Sequence, residues 1–176
     1  MLRLRPYKSC DAETILSWLD NEETYRDWGG ELFGLYPVAP ELMNKKYFFH
    51  NGDCLEPDNF YPMTALDEQG LAGHFILRYQ FGDPRQLRIG WVLVDDKRRG
   101  QGLGERMLSL GLQYAFAFLG AERVTIGVFE TNERAWRCYK ALGFRETPAA
   151  DTVMTVAGEP RRVRELVLTR EEYEAR

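Results

Sequence analysis

The sequence predicts an α/β fold built on a mixed sheet, and three observations predict it. Apolar segments at 61–66 and 71–79 flank Asp67-Glu68-Gln69-Gly70, the pattern of a β-hairpin. Residues 102–119 and 132–142 carry apolar side chains at helical spacing. Runs of strand length and β-branched character at 124–129 and 163–168 follow each helix or lie beyond it, so the C-terminal half reads β-α-β-α-β behind an antiparallel hairpin.

The elements follow in order. Leu2 and Leu4 alternate with Arg3 and Arg5 before Pro6, a short opening strand, and Asp11 is placed to cap a helix carrying Ile15, Leu16 and Leu19. Between Asn21 and Pro62 the pattern is irregular, with Trp28, Phe33, Tyr36, Tyr47, Phe48 and Phe49 scattered among Gly29-Gly30, Pro37 and Pro40, which predicts short helices and loops. After the hairpin, Gly82-Asp83-Pro84 turns the chain into a third strand over about 86–94, completing an antiparallel meander. Leu103, Met107, Leu110 and Tyr114 mark one face of a helix over about 102–119 that Gly120 ends. A strand over 124–129, a helix from Asn132 through Leu142 stopped by Gly143, an extended segment from Phe144 and a strand over 163–168 complete the chain.

At 176 residues the sequence suits one domain spanning 1–176, long enough to bury roughly 70% of its unfolded surface without a disulfide or structural metal. The net charge of −4 argues against nucleic acid as a partner, and Lys97-Arg98-Arg99 is a basic patch sized for a small anion. Cys10, Cys54 and Cys138 are widely spaced and form no metal-ligand pattern, which fits a reducing compartment. No apolar stretch nears the ~18 residues of a membrane span and the N-terminal residues lack a signal-peptide core. The expectation is a cytoplasmic protein with no metal, no nucleic-acid partner and no membrane partner; a homodimer is compatible with the sequence.

Arg98-Arg99-Gly100-Gln101-Gly102-Leu103-Gly104 lies between the strand that ends at Val94 and a helix start. Residues without a Cβ let the backbone approach an anion, and the first helix amides point at it with the positive end of the helix dipole behind them. Two nucleotide readings fail. The G-x-G-x-x-G fingerprint counted from Gly100 and Gly102 meets Glu105 at its third glycine, and no lysine followed by a hydroxyl residue completes a P-loop. A tight strand-to-helix connection whose glycines only pack is the plain alternative.

Downstream, Asn132, Ala135 and Tyr139 fall at i, i+3 and i+7, so a carboxamide, a small gap and a phenol align along one helix wall. Taken singly they read equally as an N-cap, a core alanine and a buried tyrosine.

Together the strand ending Val92-Leu93-Val94, the turn Arg99-Gly100-Gln101-Gly102-Leu103-Gly104, and the run from Asn132 through Ala135 and Tyr139 to Gly143-Phe144 resemble the GNAT family of acetyl-CoA-dependent N-acetyltransferases. The turn fits the family's [QR]-x-x-G-x-[GA] signature at Arg99, Gly102 and Gly104, and the resemblance covers about 86–146. The opening and the aromatic-rich segment resemble the branch that acetylates protein N-termini or small amines. The resemblance implies a mostly antiparallel sheet flanked by helices, in which the strand ending at Val94 splays from its neighbour and the pantetheine arm pairs with backbone at Val92 and Val94. It implies amides of Arg99, Gly100, Gln101, Gly102, Leu103 and Gly104 on the pyrophosphate, Lys97 or Arg98 on a further phosphate, and Asn132 on the pantetheine amide. It further implies Tyr139 as general acid beside the sulfur and a strand amide near Val92 on the carbonyl oxygen.

Transfer to an amine, from a small molecule or a peptide N-terminus, needs the nitrogen neutral. At a lysine-like pKa of ~10.4 that costs about 4.6 kcal/mol at pH 7, against about 1 kcal/mol for a peptide α-amine of pKa ~7.7. Several relatives place a glutamate five residues before the motif's asparagine, where this sequence has Gly127. Glu130, Glu31 and His74 are the candidates for a base, none of them assigned, and Arg88 on the cofactor strand suggests an acceptor bearing a carboxylate. Trp28, Phe33 and Tyr36 are candidates for an acceptor pocket. Cys138 points about 100° from Tyr139 around the helix and reads as packing, so direct transfer is preferred. The missing glutamate motivates a rival reading, a noncatalytic acyl-CoA-binding sensor.

Overall fold

Strand pairing sets the architecture. The structure, a computed structural model, describes residues 1–49 and 59–176, so Cys54 lies outside the described residues. The strands are β1 (Arg3–Pro6), β2 (Phe60–Asp67), β3 (Gly70–Gln80), β4 (Asp83–Val94), β5 (Arg123–Phe129), β6 (Arg145–Glu146), β7 (Thr152–Val156) and β8 (Glu159–Thr169). They form one sheet in the order β1-β2-β3-β4-β5-β8-β6, with β7 paired to β8. The pairing of β4 with β5 is parallel and the others are antiparallel. The expected mixed, mostly antiparallel sheet and its β2-β3-β4 meander are therefore present.

Strand alternation sorts side chains onto two faces. Leu87, Ile89, Val124, Ile126, Leu166 and Leu168 share one core with α4 (Leu103–Gln113) and α5 (Glu133–Ala141). On the other face Ile76 and Leu93 pack with α1 (Ala12–Ser17), α2 (Glu22–Asp27) and α3 (Pro40–Phe49). A fully buried aliphatic such as Leu112 contributes about 1.5–3 kcal/mol, and the α4 stripe supplies Met107, Leu108 and Leu112 to the first core. That stripe runs through Leu103, Met107, Leu108, Gly111 and Leu112. Leu110, expected on it, is only half-buried, because the face is turned toward i+4 and i+5 neighbours of Leu103. Past Gln113 the helix loosens into a π turn over Tyr114–Phe118 before Gly120 ends it, as expected. A short helix α6 (Arg170–Glu174) closes the chain on a capping box between Thr169 and Glu172. No helix among the described residues is long and apolar enough to cross a membrane.

Two expectations are corrected. Asp11 sits at the N-cap position of α1, but its carboxylate caps no helix amide. Instead it takes two hydrogen bonds from the Arg5 guanidinium at 2.6 and 2.7 Å, one from Lys8 N at 2.9 Å and one from Thr64 Oγ1 at 3.0 Å, since the charged guanidinium on β1 outcompetes the helix amide. The final strand begins at Glu159, earlier than 163, because Ala157 and Gly158 turn β7 onto it with left-handed φ of +52° and +82°. The exposed, unpatterned residues of β7 hid that hairpin from the sequence.

Candidate active site

The site originates in a defect of the sheet. β4 pairs with β5 only from Gln86↔Arg123 to Ile89↔Ile126, although β4 runs on to Val94 and β5 to Phe129. On its other edge β4 changes register from Ile76↔Gly90 to His74↔Leu93, so Trp91 and Val92 together face a single residue of β3. This is a β-bulge, and Trp91 holds φ +46°, a conformation costly for a bulky side chain. A bulge bends its strand, and here the two parallel strands part beyond Ile89.

The parting opens a cleft of about 640 Å³ that reaches both faces of the sheet. Val92 and Val94 lie on its β4 side. Arg99, Gly100, Gly102, Leu103 and Gly104 line one end; Asn132, Ala135 and Tyr139 of the α5 region line the wall. Gln101 is exposed and is not on the cleft wall. The sequence thus located a single contiguous surface from three segments, with one residue of the turn outside it.

At the turn, Gly100 and Gly102 take φ +84° and +71°, which a side chain would strain, and a Cβ at Gly102 would meet no atom within 4 Å. The space in front of the first α4 amides is open. The basic patch is less free than expected: Arg98 is paired with Asp67, and the Arg99 guanidinium donates to Trp18 O at 3.1 Å and Val94 O at 3.4 Å. Lys97 does not line the cleft. Arg134, exposed on α5, does line it, with Nη2 3.8 Å from the position of a Gly100 Cβ and no carboxylate partner among the described residues. Sequence reasoning missed Arg134; its place one helical turn before Cys138, on the wall already inferred, was the available signal.

Asn132 is the N-cap of α5, its Oδ1 accepting from Ala135 N at 3.1 Å, which leaves the two Nδ2 hydrogens for another partner. Tyr139 is 6% exposed, and burial raises its phenol well above the ordinary tyrosine value, so it is protonated at neutral pH. Cys138 also lines the cleft, contrary to the view that it only packs, yet burial pushes its thiol up to about 11 and keeps it un-nucleophilic.

None of the suggested bases reaches the cleft wall. His74 is completely buried with Nε2 2.6 Å from the Tyr47 hydroxyl, and burial lowers its pKa to about 3. Glu31 lies beside Arg26 and accepts from Ala157 N, and Glu130 pairs with Arg162 and Arg164. Of the aromatic candidates Trp28 lines the cleft, while Phe33 stacks beneath it at 5.0 Å and Tyr36 packs on Tyr25.

Gly127 has a structural cause. It faces Glu165 across the β5–β8 pairing, and Arg88 of β4 reaches over it to Glu165 with two hydrogen bonds of 2.7 and 2.8 Å. A Cβ at 127 would stand 2.5 Å from Arg88 Nη2 and 3.1 Å from Glu165 Oε1. An ion pair spanning three strands needs the middle one bare. Arg88 is thus not a solitary cation, and Glu165, 38 positions from Gly127, carried no local signal.

Comparison with known proteins now decides the family. The family model described as Acetyltransferase (GNAT) domain matches residues 1–145. The chain belongs to the GNAT acetyltransferase family. Its GNAT fold superimposes on a crystal structure of spermidine N-acetyltransferase from Vibrio cholerae in complex with CoA and spermine over 98% of each chain, with 19% identity and a TM-score of 0.80. A structure of spermidine/spermine N-acetyltransferase from the same organism in complex with manganese ions matches 99% of this chain and 95% of its own, with 20% identity and a TM-score of 0.70. In sequence, the spermine/spermidine N(1)-acetyltransferase of Bacillus subtilis (strain 168) is 33% identical over 52 residues, 30% of this chain and 34% of that enzyme. This GNAT chain therefore matches only about a third of that relative's length.

Proposed function

We propose that this protein is an acetyl-CoA-dependent N-acetyltransferase that moves an acetyl group to a primary amine by direct attack. The observation that carries the reading is the split between β4 and β5, with the glycine turn at one end and the Asn132–Ala135–Tyr139 wall alongside, in a chain of GNAT family. The residues fit the cofactor: the left-handed glycines leave the first α4 amides bare to an anion, as a diphosphate requires. Names of the similar proteins, which include CoA and polyamines, support the same class.

Amides from Arg99 to Gly104, including that of Gln101, would hold the pyrophosphate, with Arg134 reaching a further phosphate. The β4 edge at Val92 and Val94 is not paired with β5 and would meet the pantetheine amides, with Asn132 Nδ2 a donor to the same arm. Bound acetyl-CoA supplies an activated acyl carbon. The Val92 amide, in the bulge, would meet charge developing on the carbonyl oxygen, Tyr139 would give its proton to the departing sulfur, and the proton shed by the attacking nitrogen would pass to water. Among the described residues no unpaired carboxylate lines the acceptor end to take the ammonium proton, which favours acceptors of lower amine pKa. The free thiols of Cys10 and Cys138 accord with a cytoplasmic setting.

Thiol release on mixing acetyl-CoA with amines tests the reading. Amine-dependent release at a rate well above the amine-free background is expected. Binding of acetyl-CoA without release for any amine would replace the enzyme by the acyl-CoA sensor.

A further inference from the structure

Resting on the acetyltransferase reading, the charges on the acceptor face of the cleft identify the acceptor class. On the sheet face away from α4 and α5, the cleft is lined by Thr24, Asp27 and Trp28 of the α2 region and by Arg88, Phe129 and Val163. Two of these are charged, of opposite sign: Asp27 and Arg88. Each is backed by a residue that does not line the cleft. Arg161 pairs with Asp27, and Glu165 pairs with Arg88. Arg161, Val163 and Glu165 lie at alternate positions of β8, hence on one face, with the two backing charges about 13 Å apart along the strand.

Backing does not cancel the cleft-facing groups. Glu165 engages Arg88 through Nη1 and Nη2, and a guanidinium has five N–H donors, so the Nε–H and the outer Nη hydrogens of Arg88 are left for a second carboxylate. Glu165, 11% exposed at its side chain against 21% for Arg88, fixes the guanidinium plane from behind. Asp27 gives Arg161 one oxygen and keeps the other.

We infer that the acceptor is a zwitterion, an amino acid with an extended cationic side chain: Arg88 reads its carboxylate and Asp27 its distal cation. A polyamine brings only positive charge against Arg88 and lacks the group that satisfies it. Arg88 and Asp27 are specificity residues here, distinct from the proton donor.

The test compares amines with and without an α-carboxylate, arginine with agmatine and lysine with cadaverine, with spermidine alongside, each followed by thiol release and each rate referred to the fraction of neutral amine at the assay pH. The amino acid of each pair is expected to have about ten- to a hundredfold higher kcat/KM, the range of a charged hydrogen bond. In the double variant Arg88→Glu with Glu165→Arg the ion pair persists with its polarity reversed, and the preference should invert toward agmatine and cadaverine. Turnover in which the wild type favours the decarboxylated member, or spermidine, overturns the zwitterion inference and leaves the acetyltransferase reading standing. A folded double variant, by unfolding temperature, that keeps the amino-acid preference also overturns it. Absence of release with every amine overturns both.

Discussion

Asp11→Asn should destabilise the protein by about 3 kcal/mol at pH 7, the cost of breaking a buried ion pair by removing one partner. Asp11 is 2% exposed and satisfies Arg5, Lys8 N and Thr64 together, so it ties the loop before α1 to both β1 and β2. Burial alone would raise its pKa, but the hydrogen bonds from Arg5, Lys8 N and Thr64 prevail and hold it below the ordinary carboxylate value. A depressed folded pKa means the stabilisation is complete above the unfolded value of about 3.9 and is lost as pH falls through the folded value. The gap between wild type and variant should therefore be widest near neutrality and close in strong acid. Thermal unfolding reads this as a drop of roughly 6–12 °C at pH 7. A variant within 1 °C of wild type would show that the pair contributes nothing net.

Tyr139→Phe should lower kcat by about a hundredfold while leaving the Kd for acetyl-CoA unchanged, since a positioned general acid contributes on the order of 10²–10⁴. The hydroxyl has no hydrogen-bond partner among the described residues, so its removal should leave the unfolding temperature near wild type. Because burial raises the phenol, the wild-type rate should not fall from loss of this proton until well above the ordinary tyrosine range. Unchanged turnover in the variant would assign the proton to another donor. Loss of acetyl-CoA binding would assign Tyr139 to binding instead.

What was legible in the sequence is what local physics encodes. The meander, α4 and α5 announce themselves by periodicity and by turn residues, and one end of the cleft is written in a glycine turn followed by one helix stripe. The face lined by Asp27 and Arg88, the proposed acceptor side, depends on pairs distant in the chain. Arg88 with Glu165 and Asp27 with Arg161 meet only because β8 inserts beside β5, and Gly127 reads as a missing glutamate until the guanidinium above it is seen. Likewise Arg98 reads as a phosphate ligand until Asp67, at the end of β2, is found to hold it. Asp11 misled because a capping residue and a buried ion-pair partner look alike in sequence.

The account depends on the α4 N-terminal turn gripping the diphosphate of CoA beside the split strands. Calorimetric titration of acetyl-CoA into wild type and Gly102→Val measures this directly. At φ +71° a β-branched residue costs about 1–2 kcal/mol in strain and projects into the open space before the amides. Stoichiometric binding to wild type and at least tenfold weaker binding to the variant, with the variant still cooperatively folded, is the predicted result. Equal affinity in the two proteins, or no binding to wild type, would contradict it.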